Sequence, residues 1–186
     1  MDLEPRLRLT LPMTTRTGAH GMAVLRTVTL IGATLTAGLA AGLFYSYACS
    51  VMPGLAKVDD RAFVDTMQRI NVAILNGWFM LSFLGALVLI VAAGFLQWRG
   101  GDRTVLLWIV AAAVLYLAML VITGAINVPL NDKLAAAGAP DKLTDPAAVR
   151  AAFEDVWVRW NVVRAVTSTA AFACLTWALA LSGRNS

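Results

Sequence analysis

Residues Thr104–Ile126 read TVLLWIVAAAVLYLAMLVITGAI, a run without one charged side chain. At about 1.5 Å per residue a helix of this length reaches about 35 Å, enough to cross the roughly 30 Å hydrocarbon core of a bilayer. Three further runs share its character: Val24–Cys49, with Arg26 near its start, Asn71–Trp98, and Asn161–Leu181, with Arg164 in its first turn. None of the four contains an Asp or Glu. The composition agrees, since 59% of the 186 residues are hydrophobic and 14% charged, with a mean hydropathy of +0.72, against about 25% charged in a soluble domain. The fold class expected is all-α, a four-helix transmembrane bundle over residues 24–182 with short amphipathic helices in the two longer loops. Residues 1–23, Thr- and Arg-rich without apolar period, read as a disordered tail in which Met13 and Met22 stand as alternative starts. Residues 183–186 read as a short C-terminal tail.

Four spans place both termini on one side, together with the short turn Arg99–Arg103. That side carries seven arginines against three acids, whereas the side with the long loops carries eight basic and eight acidic residues. Basic density beside the short turn favours cytoplasmic termini in a multi-pass protein of the cell membrane. The first run is longer than the ~7–15 apolar residues of a signal peptide and lacks a cleavage site, so it reads as a span. Trp98 and Trp108 at the inner helix ends, and Trp157 and Trp160 at the outer end of the fourth span, match an interfacial aromatic belt. The basic residues form no cluster of the kind nucleic-acid binding requires.

The outer loops carry helix signals of their own. Asp59 is placed to cap a helix in which Phe63, Met67, Ile70 and Ile74 share a face, with Arg61–Asp65 and Asp65–Arg69 as i,i+4 pairs. This helix is expected to run straight into the second span. Asp145-Pro146 starts another, whose stripe Val149, Phe153, Val156 and Trp160 opposes Arg150, Glu154 and Arg159. It either lies on the membrane surface or continues the fourth span outward. Leu134–Leu143 reads as the flexible stretch between them.

The residue inventory narrows the chemistry. The single histidine, His20, lies in the tail, so a histidine-ligated haem, copper or iron centre inside the bundle lacks ligands. Cys49 and Cys174 sit about 20 Å apart in depth at helical rise, too far for a disulfide, and read as buried thiols. Neither a Ser-His-Asp nor a Cys-His arrangement can be assembled. No metal and no cofactor is expected. A transporter or channel is disfavoured by the absence of intramembrane acids, repeats and broken spans.

The remaining polar groups converge. Tyr45, Ser46 and Tyr47 close the first span; Gln68, Asn71 and Asn76 open the second. Thr123, Asn127 and Asn131 close the third, and Asn161 with Arg164 opens the fourth. Antiparallel order brings all of them to the outer end of the bundle. Trp157, Asn161, Arg164 and Ser168 follow one helix face, as do Tyr116, Leu120, Thr123 and Asn127. Such groups need partners inside the protein, because lipid offers none. Asparagines there also serve as caps and interhelical bonds, Arg164 as a snorkelling side chain, and Gly38 with Gly42 as a small-residue packing pair.

Met52-Pro53-Gly54, Met67-Gln68-Arg69-Ile70-Asn71 with Asn76 after it, Asn127-Val128-Pro129-Leu130-Asn131 and Trp160-Asn161-Val162-Val163-Arg164 occur in this order. Together they resemble a family of small four-span membrane proteins that includes the anthrone oxygenases, over about residues 24–182. One departure is Gly77, where the family pattern leads one to expect proline, with a changed kink in the second span. The resemblance implies an oxygenase without metal, in which an activated aromatic C–H is deprotonated and the carbanion reacts with dioxygen to give a quinone. On that reading Arg164, Asn161, Asn127 and Asn71 are the catalytic candidates, stabilising an enolate oxygen. Tyr45, Asn76, Asn131, Trp157 and Trp160 are candidate substrate-binding residues, with Trp157 or Trp160 stacking on a flat substrate. Candidate bases are Tyr45, Tyr47, Asp132 and Glu154. The implied partners are membrane lipids, a hydrophobic small-molecule substrate and dioxygen. The other reading is a non-catalytic membrane protein that binds a lipid-like or quinone-like small molecule or serves a structural role.

Overall fold

The structure, a computed structural model, describes residues 13–184. The described residues are helical without strands, and four helices are long and apolar enough to cross a membrane. The first, α1 (Met13–Ser46), continues through a π-helical turn, Tyr47–Val51, into α2 (Met52–Leu55). A separate helix, α3 (Asp60–Ala73), precedes the second span, α4 (Gly77–Trp98). The third, α5 (Arg103–Ile122), passes through a second π turn, Thr123–Asn127, into α6 (Val128–Ala136). After a 3₁₀ turn, Pro140–Lys142, α7 (Pro146–Arg184) forms the last span.

The spans pack as a ring of neighbours in chain order, α1 on α4, α4 on α5, α5 on α7 and α7 back on α1, with the α4–α5 seam the thinnest. Small residues allow the close approach. Ala33, Ala37 and Ala40 of α1, Ala86 and Ala93 of α4, Ala112 of α5, and Ala171 and Ala178 of α7 are all buried. Dispersion between tightly apposed backbones is what holds helices together where lipid is as apolar as leucine. Gly38 lies against Phe172, so that an added Cβ would come within 2.9 Å of the ring, whereas Gly42 has open space around it. Of the expected glycine pair, Gly38 alone makes a close approach. Outward-facing Leu35, Leu39, Val88, Val91 and Val114 form the lipid-contacting surface.

A second core caps the loop end. Met52, Phe63, Val64, Met67, Leu134, Phe153 and Trp157 pack together there. At 39 residues α7 is about 58 Å long, and its first turns project into this cap as an extension of the fourth span. Asp145 accepts from the Ala148 N–H at 2.9 Å, as Asp59 does from Ala62 at 3.0 Å, so both loop helices start where their capping residues are.

Several expectations change. The helix of the first long loop does not run into the second span: it stops at Ala73, and Asn76 starts α4 afresh. Asn76 makes both ends, accepting from Phe79 N–H at 3.0 Å and donating to the Ala73 carbonyl at 2.9 Å. Gly77 follows it as the first residue of α4, a position that proline also suits, so the break persists without the proline. The tail expected over residues 1–23 falls outside the described residues up to position 12, and from Met13 it is helix. The C-terminal tail is helical through Arg184, and residues 185–186 lie outside the description. Leu134, expected in a slack connection, is buried in α6. Arg61 bonds the carbonyls of Pro140 and Leu143 instead of Asp65, while Asp65 pairs with Arg69 at 2.9 Å as expected. Cys49 is exposed rather than buried, and both cysteines are free thiols.

Candidate functional site

Two prolines shape the site. Pro53 and Pro129 each stand two residues past a π turn. A proline within a continuing helix withdraws an N–H and pushes on the carbonyl four residues back. In both places the helix absorbs this by one wide turn: the N–H of Met52 bonds Tyr47 O, and that of Val128 bonds Thr123 O. Such turns rotate the following side chains relative to an unbroken helix and occur often at functional sites. The first residue of each turn, Tyr47 in one and Thr123 in the other, lies on the wall of the same cavity.

The cavity measures about 260 Å³ and lies at the loop end, among α1, α3, the start of α4, the second π turn, α6 and α7. Most of its wall is apolar, and its polar groups are few. Asn71, Asn131, Trp157, Asn161 and Arg164 line it, as do Gln68, Thr123 and Asp132. Val72 and Leu75 line it too and are 75% and 70% exposed, so the mouth opens to the surface beside the α3–α4 break.

Arg164 is 5% exposed, its guanidinium carbon 4.6 Å from the centre of the Phe44 ring and 5.1 Å from that of Trp157. Its Nη2 donates to Asn161 Oδ1 at 3.0 Å, and Asn161 in turn donates to the Phe44 carbonyl at 3.2 Å. Two ring faces and one amide oxygen hold the cation; no carboxylate among the described residues pairs with it. Its Nε–H has no partner, nor has the side-chain NH₂ of Asn71. Buried donors without acceptors are rare, and both residues stand on the cavity wall.

The surrounding bonds fix this geometry. Trp157 Nε1 donates to Asn131 Oδ1 at 2.8 Å, and Asn127 Nδ2 donates to the Trp157 carbonyl at 3.3 Å. Both asparagines of Asn127-Val128-Pro129-Leu130-Asn131 thus clamp α6 to α7. Asn127 is fully buried behind the wall, with its Oδ1 unpartnered. Gln68 donates to the carbonyls of Leu134 and Gly138 at 2.8 and 3.0 Å, closing α3 over α6.

Not every candidate reaches the cavity. Tyr45 is 61% exposed on the lipid face of α1. Asn76 is the exposed cap of α4. Trp160 is half-buried and off the wall, and Glu154 is bound to Arg150 beside a separate groove. Phe44 was missed, although the face Ala33, Ala37, Ala40, Phe44 spaces it as the end of the buried stripe of α1.

The sequence model of the anthrone oxygenases matches residues 79–174, just over half of the chain. The chain belongs to the anthrone oxygenase family. No curated protein and no solved structure matches it. The matched segment of this anthrone oxygenase family member includes Asn127, Asn131, Trp157, Asn161 and Arg164, and ends before Trp177. Asn71, Tyr47 and Phe44 complete the wall from outside it.

Proposed function

We propose that the protein is a cofactor-independent oxygenase that converts a flat, hydrophobic anthrone-type aromatic to the quinone in the loop-end cavity. The observation that carries this reading is Arg164, a buried cation on a largely apolar wall with one donor open and no carboxylate partner. An arginine in such a place stabilises negative charge that develops on a ligand, and does so best where water is excluded. Family membership supplies the reaction class.

The chemistry needs few protein groups. An activated ring methylene loses a proton, and the carbanion is delocalised onto a carbonyl oxygen as an enolate. Arg164 and Asn71 offer N–H donors to that oxygen, with Asn161 holding the guanidinium in place. The enolate passes an electron to dioxygen, and recombination forms the carbon–oxygen bond of a peroxide. After protonation, loss of the second C–H proton breaks the O–O bond and releases water. Methylene and dioxygen become carbonyl and water. Trp157, fixed through Asn131 and packed on Phe153, holds its ring against the Arg164 guanidinium and so helps to position that donor.

The substrate class follows from the mouth. Val72 and Leu75 place exposed apolar surface at the mouth beside Asp132, which suits entry of a hydrophobic molecule from the membrane interface. With cytoplasmic termini, as the basic density favours, the mouth opens at the outer interface of the cell membrane.

The test is purified protein in detergent with an anthrone and oxygen, following quinone absorbance, beside Arg164→Ala. Wild-type protein should exceed the spontaneous rate and the variant should not. Tight binding of the quinone with no turnover in either protein would instead support a non-catalytic carrier of a quinone-like molecule.

A further inference from the structure

We infer that Asp132 is the general base of this site, taking the methylene proton of the substrate and returning it to the peroxide. The assignment rests on the oxygenase reading above. It starts from the titratable groups on the cavity wall, which are three: Tyr47, Asp132 and Arg164. Arg164 has no lone pair to offer. A phenol carries its own proton, whereas a carboxylate is an acceptor, so of these two the carboxylate is the group suited to take a proton. Tyr47 is also packed against Trp157, ring centres 5.7 Å apart at a tilt of 50°, and so belongs to the aromatic wall beside the cation.

The other acids of the loop end are engaged elsewhere or lie off the cavity. Asp60 and Glu154 hold Arg150, Asp65 holds Arg69, and Asp59 and Asp145 cap helices. Asp141 and Asp155 are exposed away from the cavity wall. Asp132 alone among the acids faces the cavity, and among the described residues no hydrogen bond or ion pair claims its carboxylate. It follows directly after Asn131, whose bond to Trp157 ties this turn of α6 to α7 at 2.8 Å. Arg164 lies two turns along α7 from Trp157, on the same face. The clamp therefore fixes a carboxylate at the mouth relative to a guanidinium at the floor, with no ion pair between them. A ligand that gives its oxygen to the floor presents the opposite edge of its ring to the mouth.

The proton balance closes on this one group. Asp132 accepts the first C–H proton, and the substrate keeps the electron pair as enolate. Once dioxygen has added, the carboxylic acid protonates the peroxide anion and is a carboxylate again. It then accepts the second C–H proton as the C=O bond forms and the O–O bond breaks; the departing hydroxide takes that proton and leaves as water. The exposure of Asp132 lets it exchange with water between turnovers.

The experiment compares wild type with Asp132→Asn, Asp132→Ala, Tyr47→Phe and Asp155→Asn. Asp132→Asn should lower kcat by about 10²-fold or more, the range of a lost general base, with KM changed little. A methylene-deuterated substrate should show a larger isotope effect in that variant, because proton removal has become slow. Added formate or acetate should restore part of the rate to Asp132→Ala, and Asp155→Asn should keep the full rate. Wild-type activity that survives in Asp132→Asn and collapses in Tyr47→Phe would overturn the assignment in favour of the phenol. Wild type without activity would remove the oxygenase reading itself, a different outcome.

Discussion

Arg150 and Arg164 stand on the same helix, about 21 Å apart at helical rise, and α7 treats them in opposite ways. Arg150 donates to Glu154 at 2.6 and 3.3 Å, to Asp60 at 3.1 Å, and to the carbonyls of Val58 and Ala56 at 2.9 and 3.1 Å. Its guanidinium also covers the Phe63 ring at 4.5 Å. Its charge is balanced twice and each donor nitrogen is occupied. Arg164, deeper, has one amide oxygen, two ring faces and an idle Nε–H. A fully bonded arginine joins helices; a partly bonded one in a cavity retains capacity for something else. Cation–π contact is worth up to about 2 kcal/mol when desolvated, which holds Arg164 in place without neutralising it.

The sharpest way to break this contrast is to remove each cation. Arg164→Met should reduce quinone formation by about 10²-fold or more, the cost of losing an oxyanion donor. Its unfolding midpoint in detergent should hold or rise, because the incompletely compensated charge no longer has to be desolvated. Arg150→Met should do the reverse. Stability should fall by about 2 kcal/mol as the bonds to the α2–α3 segment are lost, a figure already reduced for partial exposure of its partners. The rate per folded molecule should stay within a few-fold. If the two variants lost stability equally, both arginines would be structural and Arg164 would hold nothing in reserve.

Asn131→Ala sharpens the contrast around the clamp. Losing the bond to Trp157 should cost about 1 kcal/mol, shift tryptophan fluorescence to the red and lower the rate, while Asp132 keeps its charge. Unchanged fluorescence would mean that packing against Phe153 and Tyr47 alone fixes the indole. The smallest effect is expected at Gly77. Gly77→Pro should alter thermal stability by no more than about 0.5 kcal/mol, in the stabilising direction. An added Cβ there meets nothing within 4 Å, and the Asn76 cap already sets the break. A large loss would show that the first turn of α4 needs the freedom of glycine.

Much of the site was legible in residue order. Asn161 and Arg164 could be placed on one buried face because α7 is an unbroken helix, in which spacing alone sets direction. The same reasoning failed at Tyr45 and Tyr47. Two residues apart on a helix, they point to different sides, and only the packing of α1 decides that Tyr47 meets the cavity and Tyr45 the outside. It failed again at Asn76, where an asparagine between two apolar runs read as part of one long helix. The amide satisfies a carbonyl behind it and an N–H ahead of it, a bond pattern that hydropathy does not register. Asp132 and Glu154 looked equivalent as bases in the sequence. The i,i+4 pair with Arg150 occupies Glu154, whereas only the packing of α6 against α3 and α7 leaves Asp132 on the cavity.

The sequence by itself determined four spans, their antiparallel order and the gathering of scarce polar groups at one end, because hydrocarbon admits helices and penalises every unpaired polar group. The tertiary structure decided which of those groups satisfy one another and which are left facing a cavity. That division depends on bonds between residues far apart in the chain, such as Asn161 to Phe44, Trp157 to Asn131 and Gln68 to Gly138. No local pattern encodes them, since each exists only once the helices have packed.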